Sequence, residues 1–238
     1  MPPTTIRYRI IGVTMLMAFI LYLDRICMAE IVKSMSFNND LKLTKEQIGS
    51  ILSAFFFTYA LCQVPAGWAS DRFGARTTLT LYIVLWSLCT MLTGFMSSFA
   101  GLLTARLLCG VAEAGAYPTC MALVRKWIPL SGRAGAAGLV AFGGRIGGTL
   151  APFLTIWMIV TMGHWRMSLW VDGAIGFMIA LVFWIVVRSN PHEHPKVNAA
   201  ELALIGREKK EQTLSAREDA AGLFLFEPVD AHGTVRRT

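Results

Sequence analysis

Six apolar stretches, at about 10–31, 48–66, 77–96, 99–124, 134–160 and 169–187, fill most of this 238-residue chain. Each matches the roughly 20 residues that a helix needs to cross about 30 Å of hydrocarbon. Lipid offers no partner to a backbone N–H or C=O, and an open sheet edge cannot survive there, so all six read as helices. The first is no cleavable signal: it is too long, carries Asp24 and Arg25, and no small-residue cleavage site follows it. Composition agrees, with 55% hydrophobic and 16% charged residues and a mean hydropathy of +0.53, against about 25% charged in a soluble domain. Those values exclude an ordinary cytosolic enzyme, a disordered chain and a collagen-like repeat.

The net charge of +7 does not mark a nucleic-acid binder, because the basic excess lies mostly in short connections between apolar stretches. Arg7, Arg9, Arg72, Arg76, Arg125, Lys126, Arg133 and Arg188 fall on one side, and Lys33, Lys42, Lys45 and Arg166 on the other. By the positive-inside rule both chain ends are cytoplasmic, as an even number of spans requires. Thr44-Lys-Glu-Gln47 has the form of a capping box opening the second helix. Pro129 and Ser131-Gly132 break the chain between the fourth and fifth helices, and the short Ser97-Ser98 turn makes the third and fourth antiparallel neighbours.

Residues 1–188 therefore read as a transmembrane bundle and 189–238 as a cytoplasmic segment. Asn190-Pro191 and Pro195 end the bundle, and Asn198 with Glu201 can cap a soluble amphipathic helix running to about Lys210. The polar remainder, with one apolar island at 223–226, reads as a loosely ordered tail. Cys27, Cys62, Cys89, Cys109 and Cys120 all lie in apolar runs without zinc or redox spacing, so they read as small buried residues and no metal or cofactor is expected. No Gly-x-Ser-x-Gly or His-Glu-x-x-His occurs, and the one histidine outside the tail is His164, in an outer loop. This argues against an intramembrane enzyme.

Ionisable groups are costly in a bilayer, and five lie well inside the proposed spans: Asp24, Arg25, Arg106, Glu113 and Arg145. Arg106 and Glu113 come within about 20° of one helical face but are about 10.5 Å apart along the axis, too far to pair without another helix. Their face must look at a cavity or at the first helix. Asp24 and Arg25 point about 100° apart, so one can face the lumen and the other a helix interface. The charges could simply pair to hold helices together. A partly desolvated carboxyl can also load and unload a proton, and arginine stays charged and grips carboxylates with a two-pronged fork. The combination describes a proton-linked carrier of an organic anion. Gly135, Gly138, Gly143, Gly144, Gly147 and Gly148 surround Arg145, which suits close helix packing or a bendable ligand path. Tyr22 and Tyr59 serve either packing or substrate hydrogen bonding, and Trp165 and Trp170 read as belt residues at a span end.

The connection after the second helix, Gly67-Trp-Ala-Ser-Asp71-Arg72-Phe-Gly74-Ala-Arg76, resembles the signature loop of the major facilitator superfamily. There Gly67 would permit close helix contact, Gly74 a tight turn, and Asp71 would pair with a cytoplasmic arginine to latch an inner gate. Arg106-Leu-Leu-Cys-Gly110 is similar to the helix-four motif associated with proton coupling in that superfamily. Tyr22-Leu-Asp24-Arg25 and Gly110-Val-Ala-Glu113-Ala-Gly-Ala-Tyr-Pro118 resemble the anion:cation symporter family, which carries sugar acids and related organic anions. The resemblance implies a substrate-carboxylate grip at Arg25, proton coupling at Asp24, Glu113 and Arg106, and a substrate contact at Tyr59; Tyr22 is a substrate-binding candidate from its mid-span position alone. Arg145 departs from the neutral residue of the sugar-acid carriers and points to a more highly charged substrate such as a dicarboxylate.

The fold expected is an all-α membrane protein whose six transmembrane helices form two inverted three-helix repeats, half of a twelve-helix carrier. Because the sequence stops inside the family's central loop, a C-terminal six-helix half is the expected partner. Protons, a small organic anion and the lipid bilayer of a bacterial inner membrane complete the set, with the proton gradient as driving force. The alternative is a truncated, non-transporting membrane fragment or interaction subunit.

Overall fold

Each apolar stretch folds as a helix in the computed structural model, which describes residues 2–206. The spans are α1 (Ile6–Ile31), α3 (Lys45–Phe73), α4 (Ala75–Thr93), the pair α5 (Phe99–Glu113) and α6 (Ala116–Trp127), α7 (Arg133–Met162) and α8 (Trp165–Val186), with a short α2 (Met35–Leu41) after the first. Among the described residues six helical segments are long and apolar enough to cross a bilayer. Among the described residues there is no strand. The last helical turns cover 199–206 and begin after Asn198. The expected end near Lys210, the tail and the island at 223–226 lie outside the described residues.

Local chemistry sets the boundaries. Gln47 N–H donates to Thr44 Oγ1 at 3.3 Å while Thr44 N–H donates to the Gln47 side chain at 3.0 Å, closing the capping box of α3. That helix runs on to Phe73 and stops at Gly74, whose φ of +86° suits glycine. The fourth span is broken where an unbroken helix was expected. Pro118 lacks an N–H and its ring would strike the carbonyl of residue 114, so α5 ends at Glu113 and α6 restarts at Ala116.

The heaviest packing joins α1 to α7, α3 to α5, and α4 to α8. Exchanging spans one and four, two and five, and three and six maps these pairings onto themselves. Alternate spans run in opposite directions, so this is the pattern of two inverted three-helix repeats. Glycine brings each pair together. Gly143 and Gly147 lie on the α1 backbone at Met15 and Phe19, Gly110 on the Phe55 carbonyl and Thr58, and Gly173 and Gly176 on Ser87. Spans two and five remain the more open, exposing Phe57, Val64 and Trp68 on α3 and Phe153, Trp157 and Val160 on α7.

Both ends of the bundle are tied by polar clasps. At the end carrying α2, Asp40 accepts from Trp165 Nε1 at 3.1 Å and meets His164 at 3.2 Å and Arg166 at 3.4 Å. The indole hydrogen bond first, then His164 and Arg166, hold its carboxyl below the usual carboxylate range. Trp165 is thus fully buried, not a belt residue, because its N–H has a protein partner. At the opposite end Asn198 Nδ2 donates to the Pro2 carbonyl at 2.7 Å, and Thr4 N–H donates to Asn198 Oδ1 at 3.2 Å. The buried Glu201 accepts from the Thr4 hydroxyl and, at 3.2 Å, from Arg7 N–H.

Candidate functional site: a caged arginine over a buried carboxyl cluster

Tyr22 and Arg25 lie one turn apart on α1, as do Asp24 and Cys27 on the neighbouring face. Arg25 Nη2 donates to Glu113 Oε2 at 2.9 Å and Nε to the same oxygen at 3.2 Å. Three rings frame the guanidinium, with centroids 4.5 Å from its Cζ for Tyr59, 5.2 Å for Phe55 and 5.3 Å for Tyr22. Desolvated cation–π contacts of this kind contribute up to about 2 kcal/mol each. The Arg25 side chain keeps 13% of its surface exposed while Glu113 keeps 2%, so the pair opens on the arginine side. Tyr59 is a further polar partner of the guanidinium, so an incoming acceptor would compete with it and with Glu113 for the fork.

Phe55, one of these three rings, and a further ring, Tyr117, were not singled out by sequence reasoning. Phe55 is fully buried and lies between Arg25 and Arg106, whose Cζ is 4.6 Å from its centroid. Tyr117, next to the break in span four, meets Tyr22 edge-on at 6.1 Å. Their signal was the spacing Phe55–Tyr59 across one turn and the aromatic residue directly before Pro118. Arg145 is exposed, and its guanidinium joins no ion pair or hydrogen bond among the described residues. Its neighbours Gly144 and Gly148 both press on Tyr22, so the helix that bears Arg145 packs against a ring of the Arg25 cage.

Beneath the cage, Asp24 points into the bundle and is buried with Arg106. Its polar neighbours are Asp172, Glu113, Trp86 and Arg106. Asp172, on α8, is a sixth intramembrane charge that the sequence reading left out. It lies three residues inside the expected start of its span, where an acid looks like an interfacial residue. Arg106 and Glu113 do not pair with each other; help comes from another helix, α1, through Arg25.

Among the described residues the loop motif makes no latch through Asp71. Gly67 lies 3.5 Å from Pro118 at its Cβ position and Gly74 makes the turn. Asp71 is exposed and has no ion pair among the described residues, because the neighbouring cations are engaged elsewhere. Arg72 lies over Trp68 and Phe73. Arg76 donates to the Trp184 carbonyl at 2.7 and 3.1 Å and covers the Trp184 ring at 3.8 Å, fastening α4 to the end of α8. An apolar recess lined by Cys89, Leu92, Met96 and Leu108 carries no charge to hold an anion.

Residues 14–229 match the family description Major Facilitator Superfamily. The chain belongs to the Major Facilitator Superfamily. As a member of it with six apolar helices, this is a multi-pass membrane protein. It is 32% identical over 220 residues to a probable sulfoacetate transporter of Cupriavidus necator, covering 92% of this chain and 50% of that protein. It is 34% identical over 199 residues to a D-galactonate transporter of Escherichia coli, covering 84% and 45%. The chain thus spans about half the length of these curated relatives. Among superfamily structures, an inward-facing bacterial homolog of the human lysosomal transporter Spinster superposes with a TM-score of 0.70 at 24% identity, over 82% of this chain and 46% of that one. That likeness establishes half of the superfamily fold.

Proposed function

We propose that this chain is the N-terminal half of a proton-coupled symporter for a small organic anion, of the carboxylate or sulfonate class that includes sulfoacetate and sugar acids. The observation that carries the reading is Arg25: a cation held by Glu113 and three rings, with 13% of its side chain still exposed. The relatives' names support the substrate class. An anion arriving at Arg25 competes with Glu113 for the guanidinium, and protonating Glu113 releases the arginine to the substrate. Asp24, beside Arg106, is the second proton site, and Tyr22 and Tyr59 offer hydroxyls to the substrate. The exposed Arg145 suits a second anionic group, as in a dicarboxylate or a sulfocarboxylate.

In this reading both termini are cytoplasmic in a bacterial inner membrane, and a six-helix counterpart closes over the open face so that the two halves rock around a midplane site. The test is uptake of labelled sulfoacetate, galactonate, galactarate and galacturonate into liposomes that hold this half with its counterpart under an inward proton gradient. At least one anion should accumulate, and Arg25→Ala should abolish that accumulation while the protein still inserts. Undiminished uptake by Arg25→Ala would reject the assignment. Glu113→Gln should leave binding but remove the dependence on the gradient.

A further inference from the structure

Ile6 and Arg9 in the first turns of α1 and Ile185 and Arg188 at the end of α8 bound a recess of about 300 Å³, which His194 and Lys196 of the following connector also line. It lies where apolar sequence gives way to polar, since α8 ends at Val186 and α1 begins at Ile6. In a bilayer that is headgroup level. Arg9, Arg188 and Lys196 are cations, His194 is a fourth basic group, and no acid lines the recess.

The positive charge is not cancelled nearby. Between residues 186 and 206 the only acids are Glu193 and Glu201. Glu193 accepts from Asn190, and the buried Glu201 accepts from Thr4 and Arg7. Arg188 is fixed through Nη1, which donates to the carbonyls of Trp184, Ile185 and Val187 at 3.1, 3.0 and 2.9 Å. The side chains of Arg9 and Lys196 are exposed and make no hydrogen bond or ion pair among the described residues. Burial first, then Arg188 and, more weakly, Lys196 hold the His194 imidazole below the ordinary histidine range. Both cations therefore bear on one ring.

Positive charge at this end sets topology on its own. The recess adds an approach. Met178, Leu181 and Ile185 recur on α8 at three- and four-residue spacing, each more than half exposed, and the last of them belongs to the recess wall. They form one apolar stripe leading to the cations. A track of this kind fits an amphiphile with an anionic head; a soluble phosphate would use the cations and leave the stripe idle. The other basic recess at this end, beside Arg125, Lys126 and Arg133, is walled by Leu202 and Ile205 from outside the bundle, and its Arg133 is already committed to the Ile128 and Arg125 carbonyls.

We infer that the recess between α1 and α8 binds the headgroup of an anionic phospholipid, with the phosphate on Arg188, Arg9 and Lys196 and an acyl chain along Ile185, Leu181 and Met178. The site requires a membrane and is independent of which anion is carried.

The experiment is native mass spectrometry of the purified chain, released from detergent after titration with phosphatidylglycerol, phosphatidylcholine or glycerol 1-phosphate. A cation at an anionic membrane surface contributes about fivefold, so three predict a preference for phosphatidylglycerol over phosphatidylcholine on the order of 100-fold. Arg9→Gln with Lys196→Gln should remove roughly 25-fold of it, and an unchanged preference overturns the inference. Should that pair fail to fold, each single change should cost about fivefold, and no loss in either is equally fatal. Arg9→Lys with Lys196→Arg keeps both charges and should keep the preference. Arg125→Gln with Lys126→Gln should also leave it intact; an equal loss there would reveal a diffuse basic face with no site. Glycerol 1-phosphate, the same head without chains, should bind more weakly than phosphatidylglycerol by roughly tenfold or more, and comparable binding would make the recess a soluble-phosphate site and defeat the lipid assignment.

Discussion

Replacing Gly147 by alanine should destabilise the bundle, and replacing Gly138 by alanine, nine residues earlier on the same helix, should stabilise it. In both cases the new methyl raises helix propensity by roughly 1 kcal/mol. At Gly138 it meets nothing within 4 Å, so the expected gain is about 0.4–1 kcal/mol. At Gly147 it would lie 2.8 Å from the Phe19 carbonyl carbon, 2.9 Å from Phe19 Cα, and closer still to the carbonyl oxygen. Those atoms are backbone and cannot rotate aside. The helices must separate by about 1 Å, and overpacking of this kind costs about 1–3 kcal/mol, with backbone contacts toward the upper end. The net expectation is a loss of about 2 kcal/mol. Phe19 is one turn below Tyr22 and nearly two below Arg25, so the separation also displaces the caged arginine from Glu113. Misplacement by 1 Å can cost about 100-fold in turnover. Unfolding of the purified variants in detergent, followed by tryptophan fluorescence, gives the stability arm. If Gly147→Ala unfolds no sooner than Gly138→Ala, glycine is not what sets the α1–α7 distance and the reasoning fails.

The Arg25–Glu113 pair should behave as a unit: Arg25→Met or Glu113→Gln alone should cost about 3–5 kcal/mol by stranding a buried charge or donor, and the double variant should recover much of that. A double-mutant cycle in detergent measures it, and additive losses would contradict the pairing. The Asp40 clasp carries a pH dependence of known sign. Its carboxyl is depressed in the folded state by Trp165, His164 and Arg166, so its contribution is complete above the ordinary aspartate range and drains away as pH falls below it. Melting temperature should drop on acidification in wild type, and Asp40→Asn should flatten that part of the curve; an unchanged acid slope would remove Asp40 from the account.

How much of this was legible in the sequence depended on the range of the cause. Hydropathy marked the six spans because lipid forces every backbone group into a helix, and Thr44 with Gln47 marked a start because capping is a four-residue event. The charges at Asp24, Arg25, Arg106 and Glu113 stood out for the same reason of medium. What joins them was not legible: the Arg25–Glu113 bond links residues 88 apart, and Phe55 reads as one more apolar residue until two guanidinium groups are found on it. Pro118 did carry the break in span four, but inside an apolar run the requirement for length hid it. Arg76 was assigned by motif to a gate, yet its donors follow the free carbonyl at Trp184, a destination 108 residues away that no local pattern encodes.

The clasp between Glu201 and the first turn of α1 has a mechanical consequence. Whatever is attached beyond residue 206 is tethered to the foot of the helix that bears Arg25, as well as to α8. A tug along that tether becomes torque on a rigid rod some 27 Å long between Arg7 and Arg25. A pull on residues 199–206 therefore loads α1 at its first turn directly, six turns or fewer from the guanidinium.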